Sequence, residues 1–318
     1  MWARAFAGEA EILRSSKSIS TNFHPFRTSA LVNDTGFPYA ACNDAGSGEG
    51  GVLAVQPDDS DDNIARIARS FVDARREGTA LEDYPGDMPR GLADAYAVQD
   101  AAIELSPAPI AGWKVGRINP PLGTTNRLAG PIFADQVFTA AGTELAMPVF
   151  ADGFAAAEAE FLLRIAAKPD PRKTSYSMSE ATALIDAVHI GIEIASSPFP
   201  GINDHGPTVT ISDFGNNNGL IVGAAIQGWV DTDLDRWPVE LWIDGARAGA
   251  ATTATMLDGP FGAARFLFEL MAQRGIALAA GQWISTGAVT GVHPVSPGNR
   301  VEARFDGRLS VECTIKAR

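Results

Sequence analysis

From residue 110 onward the chain is cut into short apolar runs separated by Gly, Pro and Asp: "IAGWKVG", "GPIFADQVF", "AEAEFLLRIA", "AVHIGIEIA", "NGLIVGAAI", "VELWIDG", "QWISTGAV", "RVEARFDG" and "SVECTI". Runs this short and this rich in Val, Ile, Phe and Trp favour strands over helices, so residues 110–318 predict a mostly β domain. Two helices interrupt it. One is "MSEATALIDAV", capped at Ser177 or Ser179; the other is "GAARFLFELMAQRG", closed by Gly275.

Ahead of this domain, residues 58–109 predict a helical part. "DDSDDNIARIARSFVDARREG" sets Ile64, Ile67, Ala68, Phe71 and Val72 at helical spacing before Gly78, and "GLADAYAVQDAAIEL" predicts a second helix over 91–105. Residues 1–57 hold no sustained periodicity and read as a weakly ordered extension with little part in the fold. They contain a G-x-G-x-x-G match at Gly46, Gly48 and Gly51, but no helix signal follows it, so the glycines read as a linker rather than a dinucleotide fingerprint.

Composition narrows the function. The formal net charge of -13 argues against nucleic acid or an anionic membrane as partner, since both need a basic face. Cys42 and Cys313 lie far apart, giving neither a disulfide framework nor a zinc site, which suits a reducing cytoplasm. No apolar run approaches the length of about 18 residues that a membrane span needs. The first residues lack the apolar core of a signal peptide.

Against this background "AAEAEFLL" (156–163) stands out, because Glu158 and Glu160 interrupt a stretch that otherwise reads as buried. Residues two apart diverge on a helix and share a face on a strand. Ala157, Ala159, Phe161 and Leu163 would then line the opposite, core-facing side. A third acid, Glu193 in "HIGIEIASS", lies on the face of its strand opposite Ile190, Ile192 and Ile194. Three carboxylates with no His or Cys nearby in sequence suit a hard ion, Mg2+ or Mn2+. Taken alone, the pair also fits the solvated face of an edge strand.

The segments "GWKVG" (112–116), "GPIFAD" (130–135), "AAEAEFLL" (156–163), "GIEIASS" (191–197), "NNNGLIVG" (216–223) and "STGAV" (285–289) occur in an order and spacing that resembles the 2-keto-4-pentenoate hydratase branch of the fumarylacetoacetate hydrolase superfamily. The likeness spans about residues 60–318. It implies an α+β fold: a mixed β roll of the fumarylacetoacetase C-terminal type carrying a small helical N-terminal part. It also implies metal ligation by Glu158, Glu160 and Glu193, and places Lys114 at the active site, where it could hold a substrate carboxylate or transfer a proton. Asp135 is a further active-site candidate, although "FAD" also fits a strand-ending turn.

The activity implied is metal-dependent hydration of 2-hydroxypenta-2,4-dienoate or its 2-oxo tautomer in aromatic-compound breakdown, by a cytoplasmic homo-oligomer. The alternatives are decarboxylation of a 2-oxo-3-enedioate, carbon–carbon hydrolysis of an acylpyruvate, and a non-catalytic binding protein. "SDFGNNNG" departs from the family's Asp-Asn pair, which leaves Asp213 without an implied role and lets Asn216 to Asn218 read as a turn. The segment between Lys114 and Asp135 also departs and is expected to help set substrate choice. His189, His205 and His293 read as packing or surface residues.

Overall fold

A computed structural model describes residues 59–140 and 145–318. The expected extension over residues 1–57, with its glycine-rich match, lies outside the described residues. Helix α1 (Asp59–Glu77) buries Ile67, Ala68 and Phe71 and is followed by Gly78 at φ +72°; α2 (Leu92–Glu104) buries Ala95, Val98 and Ala102. Both expected helices are present.

The strands follow. These are β1 (Ile110–Leu122), β2 (Thr125–Phe133), β3 (Val137–Thr139), β4 (Ala146–Val149), β5 (Phe154–Ile165), β6 (Ile185–Ser197), β7 (Asn217–Ala225), β8 (Val239–Ile243), β9 (Ala246–Ala251), β10 (Trp283–Ser285), β11 (His293–Pro294), β12 (Arg300–Phe305) and β13 (Leu309–Ala317). Helices α3 (Met178–Thr182), α4 (Pro207–Ser212) and α5 (Gly259–Gln273) are inserted among them. The fold is α+β, dominated by sheet.

The strands form two sheets. One has the order β2-β1-β10-β5-β6-β7-β3, with β11 added against β5; the other has the order β4-β13-β12-β8-β9. Parallel and antiparallel pairs occur in both. A common core joins them. Ala157, Ala159, Phe161, Ile190, Ile192 and Ile194 come from the larger sheet, and Leu241, Val301, Phe305 and Ile315 from the smaller. The Phe161 and Phe305 rings meet edge to face at 5.3 Å. Helices α1 and α2 bury a second cluster with Phe133, Phe199 and Phe214.

The two sheets differ in a way that decides where a site can form. On β12, Val301, Ala303 and Phe305 are buried while Arg300, Glu302 and Arg304 are less so, the alternation of a sheet with one solvated face. On β5 every residue from Ala156 to Leu163 is buried, glutamates included. Strand β5 is central rather than an edge, so the solvated-face reading of Glu158 and Glu160 does not hold.

One expected element is corrected. The helix "MSEATALIDAV" shrinks to the five residues of α3, with a capping box between Ser177 and Glu180. Ile185 to Val188 instead open β6, where Val188 pairs with Leu163 and Asp186 with Arg164 at 2.9 Å. The long ladder with β5 satisfies more backbone groups than one further helical turn could.

Packing between the sheet and the turn before β7 leaves no room at Gly130, where an added Cβ would lie 2.0 Å from the carbonyl oxygen of Phe214. Gly130→Ala should therefore cost about 1–3 kcal/mol through backbone displacement, measured by urea unfolding. A variant as stable as the parent would show that this approach is looser than drawn.

Candidate functional site

Glu158 and Glu160 share one face of β5, and antiparallel pairing places Glu158 directly opposite Glu193 on β6. One carboxylate oxygen from each of the three lies within 4.8 Å of the others. Glu160 and Glu193 are fully buried and Glu158 is 5% exposed. The face they occupy is turned away from the core between the sheets.

Lys114 reaches the cluster from β1, two strands beyond β5 in the sheet. Its Nζ lies 3.2 Å from Glu193 Oε1 and donates to Asn216 Oδ1 at 3.2 Å. Asn217 Nδ2 donates to the same Glu193 oxygen at 2.8 Å. Glu160 is held from β10 and the residues after it: Ser285 Oγ and the Gly287 backbone N–H, the latter at 2.9 Å, both donate to its Oε2. Gly287 sits at φ +105°, a conformation that a residue with a Cβ rarely adopts. Each of these donors leaves one oxygen unused. Glu160 Oε1 and Glu193 Oε2 are buried with no hydrogen-bond partner among the described residues.

Such crowding shifts the titration of the cluster. Burial, with Glu193 adding to it and Lys114 opposing it, raises the Glu158 carboxyl to about 7. Glu160 is pushed well above the usual carboxylate range by burial first, then by the charges of Glu193 and Glu158. Burial alone would lower Lys114, but Glu193, Glu158 and Glu160 outweigh it and hold the ammonium above its ordinary value. Lys114 is therefore a fixed cation at neutral pH in this arrangement.

The turn before β7 presents Asn216, and the first residue of β7 is Asn217. Phe214, Gly215 and Asn216 occupy the left-handed region in succession, at φ +55°, +64° and +59°. For Phe214 and Asn216 that backbone costs on the order of 1 kcal/mol or more each, and it persists only where the surroundings over-determine it. Asp213, which opens the turn, is fully buried and paired with Arg75 of α1.

Lys114 and Glu158 line a cleft of about 980 Å³. Its walls come from the β1–β2 hairpin (Arg117, Pro121 and Leu128 among them), the segment before β7, and the residues after β10. Arg117 faces this cleft, bonds the Thr255 carbonyl at 3.4 Å and pairs with no carboxylate among the described residues; its neighbour Arg127 pairs with Asp258. Asp135 does not join the cluster. It is exposed in a single 3-10 turn (Ala134–Gln136) and is absent from the cleft lining. His189, His205 and His293 also lie outside the lining; His189 bonds the Gly223 carbonyl and His205 stacks on Phe199.

Four contributors escaped sequence reasoning: Asn216, Asn217, Ser285 and Gly287. "NNNG" and "STG" were visible as segments, but nothing in their spacing tells which carboxylate they serve. Of Asn216 to Asn218 only Asn216 lies in the turn; Asn217 and Asn218 open β7, and Asn216 and Asn217 carry an acceptor and a donor into the cluster.

In the metal-free protein the raised carboxyls make stability depend on pH. A carboxyl with a folded pKa of about 7 against an ordinary 4.5 contributes stability that is complete below about 4.5 and lost as pH rises through about 7. Glu160 shifts in the same direction. Thermal melts in chelator should show the melting temperature falling between about pH 5 and pH 8. Glu160→Gln should flatten that fall by removing one of the crowded charges. A flat wild-type profile would contradict the burial of this cluster.

No family model matches the chain. It is 28% identical over 271 residues to a 4-oxalocrotonate decarboxylase of a Pseudomonas species, covering 79% of this chain and 98% of that one. It is 27% identical over 268 residues to 2-keto-4-pentenoate hydratase of Burkholderia vietnamiensis, covering 80% and 99%. A match at 30% identity to another Pseudomonas 4-oxalocrotonate decarboxylase spans 101 residues and 38% of that protein's length. Among solved structures, 4-oxalocrotonate decarboxylase from Pseudomonas putida complexed with magnesium and adipate matches with a TM-score of 0.69 at 22% identity, over 80% of this chain and 98% of that one. Fumarylpyruvate hydrolase from Pseudomonas aeruginosa in complex with Mn2+ and pyruvate matches with a TM-score of 0.52 at 13% identity, over 66% and 91%. The resemblance read from the ordered motifs is borne out: the relatives found are named 4-oxalocrotonate decarboxylase and 2-keto-4-pentenoate hydratase, and the fold is shared with the solved 4-oxalocrotonate decarboxylase.

Proposed function

We propose that the chain is a divalent-metal-dependent lyase acting on a small unsaturated 2-oxo acid, with Glu158, Glu160 and Glu193 as the metal ligands and Lys114 as the substrate-facing cation. The observation that carries this is the pair of orphaned oxygens on Glu160 and Glu193, beside Glu158 at the cleft floor. A buried carboxylate oxygen without a partner costs free energy, and a cation among the three satisfies both. Three carboxylates against one ammonium leave two negative charges, the complement of Mg2+ or Mn2+. The all-oxygen donor set agrees with a hard ion. Magnesium and Mn2+ in solved proteins of the same fold support the same choice.

When bound, the ion supplies Lewis-acid charge to the carboxylate and keto oxygens of a 2-oxo acid. The protein's own residues do the rest. Lys114, fixed by Glu193 and Asn216, adds positive charge where negative charge develops on the enolate. Ser285, Gly287 and Asn217 fix the carboxylates so that neither rotates away.

Two reactions share this enolate. In decarboxylation of a 2-oxo-3-enedioate, the distal C–CO2 bond breaks and its electron pair flows into the conjugated chain. In hydration of a 2-hydroxydienoate, water adds to the distal double bond and a proton returns to carbon. Arg117 favours the first. It lines the same cleft as Lys114 and, beside its one bond to the Thr255 carbonyl, pairs with no carboxylate among the described residues, which leaves it able to take a second substrate carboxylate. Hydration is the second reading, favoured by the hydratase relative that this chain covers over 99% of its length. Incubation with Mg2+ and each substrate, followed by mass spectrometry, decides between them: loss of carbon dioxide from the enedioate, or gain of water by the dienoate.

Chelation should abolish turnover, and Mg2+ or Mn2+ should restore it. Full activity in chelator, with no metal found by elemental analysis, would overturn the metal reading. Glu160→Gln should weaken metal binding about 10–100-fold in a calorimetric titration while the fold survives. Lys114→Ala should spare metal binding and lower kcat by about 10²–10⁴-fold. A kinetically normal Lys114→Ala protein would return the lysine to a structural role.

A further inference from the structure

We infer that Arg75, on helix α1 and outside the cleft, is a positioning residue for this site: it clamps the chain at three points, each within three residues of a group that holds or forms the carboxylate cluster. The inference rests on the proposed metal site. Arg75 is 6% exposed, and its guanidinium is almost fully used. Nε and Nη2 donate to the two carboxylate oxygens of Asp213, the latter at 2.8 Å. Nη2 also donates to the Ser196 carbonyl at 3.1 Å, and Nη1 to Asn218 Oδ1 at 3.4 Å. The rings of Phe214 and Phe150 lie 5.3 Å and 5.8 Å from its central carbon.

The three anchor points explain the assignment. Ser196 follows Glu193 by three residues on β6. Asp213 and Asn218 flank the segment whose inner residues, Asn216 at the end of the turn and Asn217 at the start of β7, meet Lys114 and Glu193. That turn holds three consecutive left-handed residues and so does not keep its shape through its own backbone preference. A bidentate, buried guanidinium–carboxylate pair fixes both distance and angle, which a point charge would not. Apart from the contacts to Lys114 and Glu193, the segment's other side-chain anchors are single hydrogen bonds: Asn216 to Asn203 at 3.2 Å, Asn218 to the Pro148 carbonyl, and Arg318 Nη1 to Asn218 Oδ1 at 3.3 Å. Arg75 therefore sets where Asn216 and Asn217 point, and through them the placement of Lys114 and Glu193.

The test uses the full chain with Arg75→Lys, Arg75→Met and, as comparator, Phe71→Leu. Phe71 packs one turn earlier on the same helix, in the apolar cluster that also holds Phe214, and makes no polar contact with the turn. Two readouts are taken beside the melting temperature: the side-chain amide resonances of Asn216 and Asn217, and the Mg2+ affinity by calorimetry. Arg75→Met should shift both amide pairs and weaken Mg2+ binding about 10–100-fold, with Arg75→Lys between it and the parent. Phe71→Leu should lower the melting temperature while leaving both readouts unchanged. Should Arg75→Met fail to fold, Asp213→Asn, which keeps the side-chain shape, is read in its place with the same expectation. Unmoved amide signals in a folded Arg75 or Asp213 variant would overturn the inference, as would equal shifts in Phe71→Leu. A wild-type protein that binds no Mg2+ or Mn2+ would instead sink the metal reading, and the amide signals would still decide the role of Arg75.

Discussion

Holding three carboxyl groups side by side in a sheet interior is the constraint to which the surrounding structure answers. Two of the three are met by specific donors. Lys114 and Asn217 meet Glu193; Ser285 and the Gly287 amide meet Glu160. Burial without such partners would drive the carboxyls to their neutral form. The donors come from β1, the turn before β7, and β10 with the loop after it, so the cluster draws on distant parts of the sequence at once. Removing one donor would leave a buried acceptor unsatisfied, which costs more than the bond contributes when present.

The asymmetry between the two sheets follows from this. The five-stranded sheet spends its outer face on solvent and needs only alternation to fold. The larger sheet is covered on both sides at β5 and β6, by the second sheet on one face and by helices and loops on the other. That double burial is what turns a glutamate pair from a surface ornament into a charged site.

Much of the fold was legible because periodicity is local. The alternation Ala157, Ala159, Phe161, Leu163 against Glu158 and Glu160 marks a strand with two unlike faces, and Ile190, Ile192 and Ile194 do the same around Glu193. The limits were equally local. "ALIDAV" satisfies helical spacing nearly as well as strand spacing, and only the ladder to β5 decides the matter. Register across strands has no signature in composition, so the pairing of Ser285 and Gly287 with Glu160 was invisible. Arg75 reads as an ordinary cation near the end of an amphipathic helix, since the acid that receives it is 138 residues away. Asp135 shows the converse error: a suggestive acid after a strand, which the fold leaves exposed on a turn.

The wide sequence spread of the site has a consequence for how the chain is made. Synthesis releases β5 and β6 long before Ser285 and Gly287 exist, so a nascent chain carries the glutamates without the donors that later hold Glu160. Like charges directly opposite one another, as Glu158 and Glu193 are across the β5–β6 ladder, weaken that pair, and Asn217, which meets Glu193, is made after both strands.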